Sequence, residues 1–142
     1  MSKVAVVYWS GTGNTEVMAS AVVDGVREGG AKAELFTASE FDASMLSSFD
    51  AVAFGCPSMG SEQLEDSEFE PMFNSCEGDL GGKKIALFGS YGWGDGEWMR
   101  SWAERAKAAG AEIIDGEGLI ANETPDDEAL ENCRALGEKL AK

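Results

Sequence analysis

The 142 residues contain no histidine. The commonest metal ligand and the commonest general base are therefore both missing, which argues against His-based metal centres and against Ser/His/Asp or Cys/His catalysis. Cysteine is scarce: Cys56, Cys76 and Cys133 form no CxxC pair, and an odd set in a reducing compartment points to buried or free thiols with structural roles. Positive charge is also in short supply. Eleven Lys and Arg face 26 Asp and Glu, a formal charge of −15, so nucleic acid and anionic membrane surfaces would repel the chain, and partners should present basic faces. No apolar run approaches the roughly 20 residues that cross a bilayer. The opening "MSKVAVVYW" enters a strand-like run without a signal-peptide layout, so a cytoplasmic protein is expected.

What is present reads as one domain over residues 1–142 with a single hydrophobic core, 44% of the residues being apolar. The runs "KVAVVYW" (3–9), "AVAFGC" (51–56) and "KIALFGS" (84–90) are short, continuous and β-prone, as buried parallel strands are. "AELF" (33–36) and the segments around "EIID" and "GLIA" (112–121) supply weaker candidates, making five strands. Helical periodicity lies between them. Val17, Met18, Ala21, Val22, Gly25 and Val26 share one face, as do Trp98, Met99, Trp102, Ala103 and Ala106. A short helix including Pro71 and Met72 follows an acidic loop. The last helix is expected to open at Thr124 as cap, with Pro125 in its first turn, Asp127 completing a capping box, and Leu130, Cys133, Leu136 and Leu140 as its apolar stripe. Strands alternating with helices predict a doubly wound α/β sheet whose ligand crevice lies beyond the carboxyl ends of the strands.

Three loops should meet at that edge. "SGTGNT" (10–15) offers the side chains of Ser10, Thr12, Asn14 and Thr15, while Gly11 and Gly13 let backbone N–H groups approach an anion at the start of a helix. It is not a dinucleotide fingerprint, having no glycine at position 16, nor a P-loop, having no lysine. In "YGWGDG" (91–96), Trp93 stands between glycines on a strand exit, where a planar ligand can stack on it. In "PSMGSE" (57–62), Met59 is a flexible apolar cover for a flat ring, the Met59–Gly60 peptide is free to flip, and Glu62 is placed to accept a ring N–H.

Taken together, "VYWSGTGNTE" (7–16), "MG" with Glu62 (59–62), "EFEP" (68–71) and "ALFGSYGWGDG" (86–96) resemble the flavodoxins, in particular the short-chain clostridial kind. The resemblance covers essentially the whole chain, and no long insertion interrupts the fifth strand. It implies a flavodoxin-like five-stranded parallel sheet of order 2-1-3-4-5 with helices on both faces, in three layers, and FMN bound non-covalently. Ser10, Gly11, Thr12, Gly13, Asn14 and Thr15 would wrap the phosphate. Trp93 would stack on the outer face of the isoalloxazine and Met59 on the inner. Glu62 would take the N3 proton, and the Gly60 carbonyl would accept from N5. Ser90, Tyr91, Gly92, Gly94 and Asp95 would complete the ring pocket. Two positions depart from the pattern: Pro57 stands where a phosphate-side serine is common, so that either Ser58 substitutes or one hydrogen bond is lost, and Ser61 replaces a frequent aspartate beside the ring.

The implied function is one-electron carriage between the neutral semiquinone and the anionic hydroquinone, without substrate turnover. The expected partners of this monomer are pyruvate oxidoreductase, hydrogenase, or ferredoxin and flavodoxin reductases. A carboxylate about 10 Å from an added electron raises its energy by roughly 0.4–1.7 kcal/mol. Glu62, Glu65, Asp66 and Asp95 should therefore make the last couple strongly reducing. An FMN-dependent NAD(P)H:quinone or flavin reductase is the alternative on this fold, although Trp93 would block the face that nicotinamide needs. A receiver domain requires acids where the chain has Trp9, Ser10, Cys56 and Pro57.

Overall fold

The computed structural model describes residues 2–11, 13–59, 63–92 and 94–142. The three apolar runs form the centre of a parallel sheet: β1 (Lys3–Tyr8), β3 (Ala51–Gly55) and β4 (Lys84–Tyr91), flanked by β2 (Lys32–Thr37) on one side. On the other side the expected fifth strand is two pieces. β5 (Glu112–Ile113) pairs with Lys84 and Ile85, whereas β6 (Leu119–Asn122) pairs with Phe88 to Tyr91 of the same strand. Between them the chain makes a tight turn at Ile114–Gly116, with Asp115 left-handed at φ 64°. The order β2-β1-β3-β4-β5 is otherwise the expected one.

Among the described residues, four helices cover the sheet: α1 (Asn14–Glu28) and α4 (Asp127–Leu140) on one face, α2 (Phe69–Glu77) and α3 (Glu97–Ala108) on the other. Strand alternation divides the core accordingly. Val4 and Val6 face α1 and α4, while Ala5 and Val7 face α2 and α3. The first half of the core is closed by the approach of α1 and α4, where Gly25 and Gly137 let backbone meet backbone. The second half is aromatic. Phe69, Phe73 and Trp102 pack edge-to-face or stacked, and Arg105 lies over Phe73 at 5.0 Å while its guanidinium donates to both oxygens of Glu70 and to Glu77 at 2.6–2.7 Å.

Two local expectations are corrected. Val17 is 47% exposed, because it sits about 100° around α1 from the stripe led by Met18. Leu130 keeps its place on the α4 stripe, partly buried and packed against the core of Cys133, Leu136 and Leu140. The cap of α4 is Asp126, whose carboxylate accepts from the Ala129 N–H at 2.8 Å, rather than Thr124. Asp126 is the residue one step before the first helical turn, so its short side chain reaches the third helical N–H; Pro125 and Thr124 belong to the preceding turn. All three cysteines are free and buried, and burial pushes the thiols of Cys56 and Cys133 up to about 12 and that of Cys76 to about 11. They are protonated and inert at neutral pH.

Candidate functional site

The loops leaving β1, β3 and β4 are tied to one another at the carboxyl edge of the sheet. Trp9 N–H donates to Gly55 O, Cys56 N–H to Phe88 O, and Ser58 N–H to Ser90 O, each at 3.0 Å, so the parallel ladder continues past the strand ends. A side-chain link joins the outer pair of loops: the hydroxyls of Thr15 and Ser90, 1% and 4% exposed, lie 3.2 Å apart.

The first loop turns into α1 through Gly13, left-handed at φ 97°, whose N–H donates to Ser10 Oγ at 3.0 Å. That conformation is favourable only without a Cβ. It aims the N–H end of a 15-residue helix, its positive pole, at the loop. In the second loop Met59 and Gln63 exchange both backbone hydrogen bonds, at 2.8 and 2.9 Å. Glu65, 5% exposed, fastens the end of that loop to α2: its carboxylate accepts from the N–H groups of Ser67, Glu68 and Phe69 at 2.8–2.9 Å and from the Ser67 hydroxyl. The third loop enters α3 through Gly94 and Gly96, at φ 85° and 91°, and the Asp95 carboxylate pairs with Arg100 at 3.0 Å.

Between the loops opens a cleft of about 470 Å³. Gly11 and Asn14 line it from the first loop, Pro57, Ser58 and Met59 from the second, and Ser90, Tyr91 and Gly92 from the third. Ser10, Gly13, Thr15, Gly94 and Asp95 build the surrounding turns without lining it. Thr12, Gly60, Ser61, Glu62 and Trp93 lie outside the described residues. Three further lining residues escaped the sequence reading: Trp9, Glu123 and Thr124. Glu123 and Thr124 follow β6, which covers the strand expected around "GLIA"; its exit lies on the same edge but was not counted among the site loops. Glu123 is held left-handed at φ 54° by its N–H bond to Tyr91 O at 2.7 Å, and it brings the one carboxylate found among the described lining residues.

Those lining residues include no Lys or Arg. The cations lie elsewhere. Lys3, Lys32, Lys83 and Lys84 stand at strand starts, and Arg27, Lys107, Lys139 and Lys142 at helix ends, which the antiparallel run of the helices brings to the same edge opposite the cleft. Around the cleft, Arg100 is already paired with Asp95. The acids Glu16, Asp66, Glu68, Glu97, Asp126 and Glu128 occupy the loops and first helical turns there. A cleft polar at one end, apolar at the other and ringed by negative charge suits a flat cofactor with an anionic tail.

Comparison with known proteins agrees with that chemistry. The family model described as Flavodoxin matches residues 6–137. The flavodoxin of Megasphaera elsdenii is 47% identical over 98% of both chains, and that of Clostridium beijerinckii 43% identical over 96% of this chain and 97% of the relative. The solution structure of two-electron reduced Megasphaera elsdenii flavodoxin superposes with a TM-score of 0.86 over 97% of this chain and 98% of that one. With the strand order, the three tied loops and near-complete coverage all in accord, this chain belongs to the flavodoxin family.

Proposed function

We propose that this protein is a low-potential one-electron carrier that holds FMN non-covalently in the cleft between the loops after β1, β3 and β4. The observation that carries the proposal is the cleft's own chemistry. Its volume of about 470 Å³ falls in the range of small cofactor sites. Gly11 and Asn14 at the positive end of α1, with Ser58 opposite, suit a phosphate; Pro57, Met59 and Tyr91 suit an apolar ring. When bound, FMN supplies one-electron chemistry, and the chain supplies binding, burial and field.

The cation-free lining makes sense on this assignment. A phosphate that only anchors its cofactor is never transferred, so no Lys is needed to stabilise developing charge. Dipoles and hydroxyls hold it, while the acids leave the field at the ring negative and the reduced cofactor a strong donor. Ser10, Thr12, Gly13 and Thr15 complete the proposed phosphate end, and Gly60, Ser61, Glu62, Ser90, Gly92, Trp93, Gly94 and Asp95 the ring end. Thr15 and Ser90 also contribute through the hydroxyl pair that keeps the first and third loops in register.

Among the described residues no helix is long and apolar enough to cross a membrane. The proposed setting is the cytoplasm, with a monomer serving pyruvate oxidoreductase, hydrogenase or ferredoxin-type reductases through basic faces that meet the acidic rim. Such docking weakens as salt rises. The test is titration of apoprotein with FMN followed by stepwise reduction. One tight equivalent and two separated one-electron couples, the lower well below that of free FMN, are expected. Absence of binding, or steady turnover of NAD(P)H without an added reductase, overturns the assignment.

Glu123 gives a second check. A cleft of this volume is roughly 8 Å across, where one carboxylate contributes about 0.5–1 kcal/mol at an effective dielectric of 40–80, or roughly 20–45 mV for one electron. Glu123→Gln is therefore expected to raise the lower couple by that amount in potentiometry. An unchanged or lowered potential would show that the carboxylate is too well solvated to matter.

A further inference from the structure

We infer that Glu68 is a positioning residue for the phosphate end of the cleft, acting through the indole of Trp9. The inference rests on the FMN assignment above. Trp9 leaves the end of β1 and its half-buried ring borders two recesses, the 470 Å³ cleft and a smaller one of about 230 Å³ on the β2 side that Glu68 lines. One edge of the ring backs Gly11. A Cβ built at Gly11 would stand 3.1 Å from Cη2 and 3.2 Å from Cζ3 of Trp9, so the ring sets the nearest approach of the loop backbone on that side.

The ring packs in part against the core, but where it borders the two recesses it has space for more than one staggered rotamer. Its single donor chooses between them: Trp9 Nε1–H donates to Glu68 Oε1 at 3.0 Å. Glu68 is fixed in turn, its backbone N–H donating to the buried Glu65 carboxylate at 2.8 Å. A continuous series of contacts thus runs from the start of α2 through Glu68 and Trp9 to Gly11. It carries the placement of the second loop's anchor to the first loop, which no direct backbone bond between those two segments does among the described residues. Removing the Glu68 acceptor frees the indole to leave Gly11, and the phosphate end loses its backstop while the apolar end keeps Met59 and Tyr91.

The test compares wild type, Glu68→Ala, Glu68→Gln, Trp9→Phe and the double variant E68A/W9F as apoproteins titrated with FMN and with riboflavin. It adds the Trp9 indole N–H resonance of the unliganded protein, assigned by its loss in W9F. E68A is expected to weaken FMN binding by roughly fivefold to tenfold, the range of one hydrogen bond to a charged acceptor at a partly open site. Riboflavin affinity should change by less than about twofold, since the lost contact bears on the phosphate end. E68Q keeps an acceptor oxygen and should retain both the FMN affinity and the shifted indole resonance. In the W9F background E68A should have no further effect, because both changes cut the same connection. Equal losses for FMN and riboflavin, a loss in E68A that persists unreduced in W9F, or E68A binding FMN as wild type does would overturn the inference while leaving the FMN assignment intact. Wild-type apoprotein that binds neither flavin would overturn both.

Discussion

Gly137→Ala is expected to lower the unfolding free energy by about 3 kcal/mol or more, and the melting temperature by roughly 10 °C. A Cβ at position 137 would lie 2.2 Å from Val22 O, 2.7 Å from Val26 N and 3.0 Å from Gly25 C. All three atoms belong to the α1 backbone, so no side chain can swing away and the two helices have to separate. The contact is reciprocal, since a Cβ at Gly25 would sit 2.0 Å from Arg134 O. Separation would loosen the packing of Met18, Val22, Val26, Cys133, Leu136 and Leu140 between helices and sheet. The intrinsic helical preference for Ala over Gly, about 1 kcal/mol, works in the opposite direction and is outweighed. Gly78→Ala is the control: nothing lies within 4 Å of its Cβ position and its φ is −68°, so that variant should melt within about a degree or two of wild type. Denaturant midpoints for the two variants decide the matter, and G137A unfolding where wild type does would refute backbone contact as the reason for glycine here.

The second large effect is expected at Glu65. Replacement by Ala leaves the N–H groups of Ser67, Glu68 and Phe69 and the Ser67 hydroxyl without their acceptor at a position 5% exposed, and should destabilise the protein by about 3 kcal/mol. Glu65→Gln should do little better, because its amide keeps one acceptor oxygen and points new donors at donors. The pH dependence is specific. Burial by itself would raise the Glu65 pKa, but the hydrogen bonds from Ser67, Phe69 and Glu68 outweigh it and hold the carboxyl below its ordinary value. A depressed carboxyl contributes stability that is fully present above the unfolded-state pKa, about 4.3, and is lost as pH falls through the folded value. The stability gap between wild type and E65A should accordingly be constant at neutral pH and narrow below about pH 4. Urea titrations at pH 7 and near pH 3.5 measure it, and a gap that does not narrow would mean that the carboxylate charge is not what the α2 entrance uses.

How much of this was legible in sequence follows from how local each feature is. β1, β3 and β4 announce themselves because strands buried on both faces are continuous apolar runs, and α3 because Trp98, Met99, Trp102, Ala103 and Ala106 repeat at helical spacing and are all buried. The split of the last strand is not local. It depends on a left-handed Asp115 and on β4 being long enough to pair with Glu112 at one end and Leu119 to Asn122 at the other. The cap of α4 differs from expectation by two residues because Thr124 and Asp126 are both competent cap types, and only the geometry of the turn at Pro125 selects between them. The three site loops stand out by their glycines, hydroxyls and isolated aromatics. Glu123 and Thr124 reach the same cleft only through the register of β6 on β4, which nothing in "ANETP" declares. Trp9 was visible as part of the motif, but its role depends on a partner, Glu68, that is 59 residues away.

Eight of the eleven cations gather at the edge of the sheet opposite the cleft, where they offset acids such as Glu28, Asp50, Glu112 and Asp115, while the acids at the cleft edge go largely unbalanced, so the molecule has a front and a back in an electric field as well as in shape. On a bare electrode, where no partner surface guides it, that asymmetry acts as a torque. A positively polarised surface turns the acidic front toward the metal and brings the cleft nearest to it, whereas a negatively polarised surface presents the lysine-rich back and leaves the length of the strands between. The same protein at the same coverage should then exchange electrons directly in the first case and sluggishly in the second, and the polarity of the surface alone becomes a gate on its current.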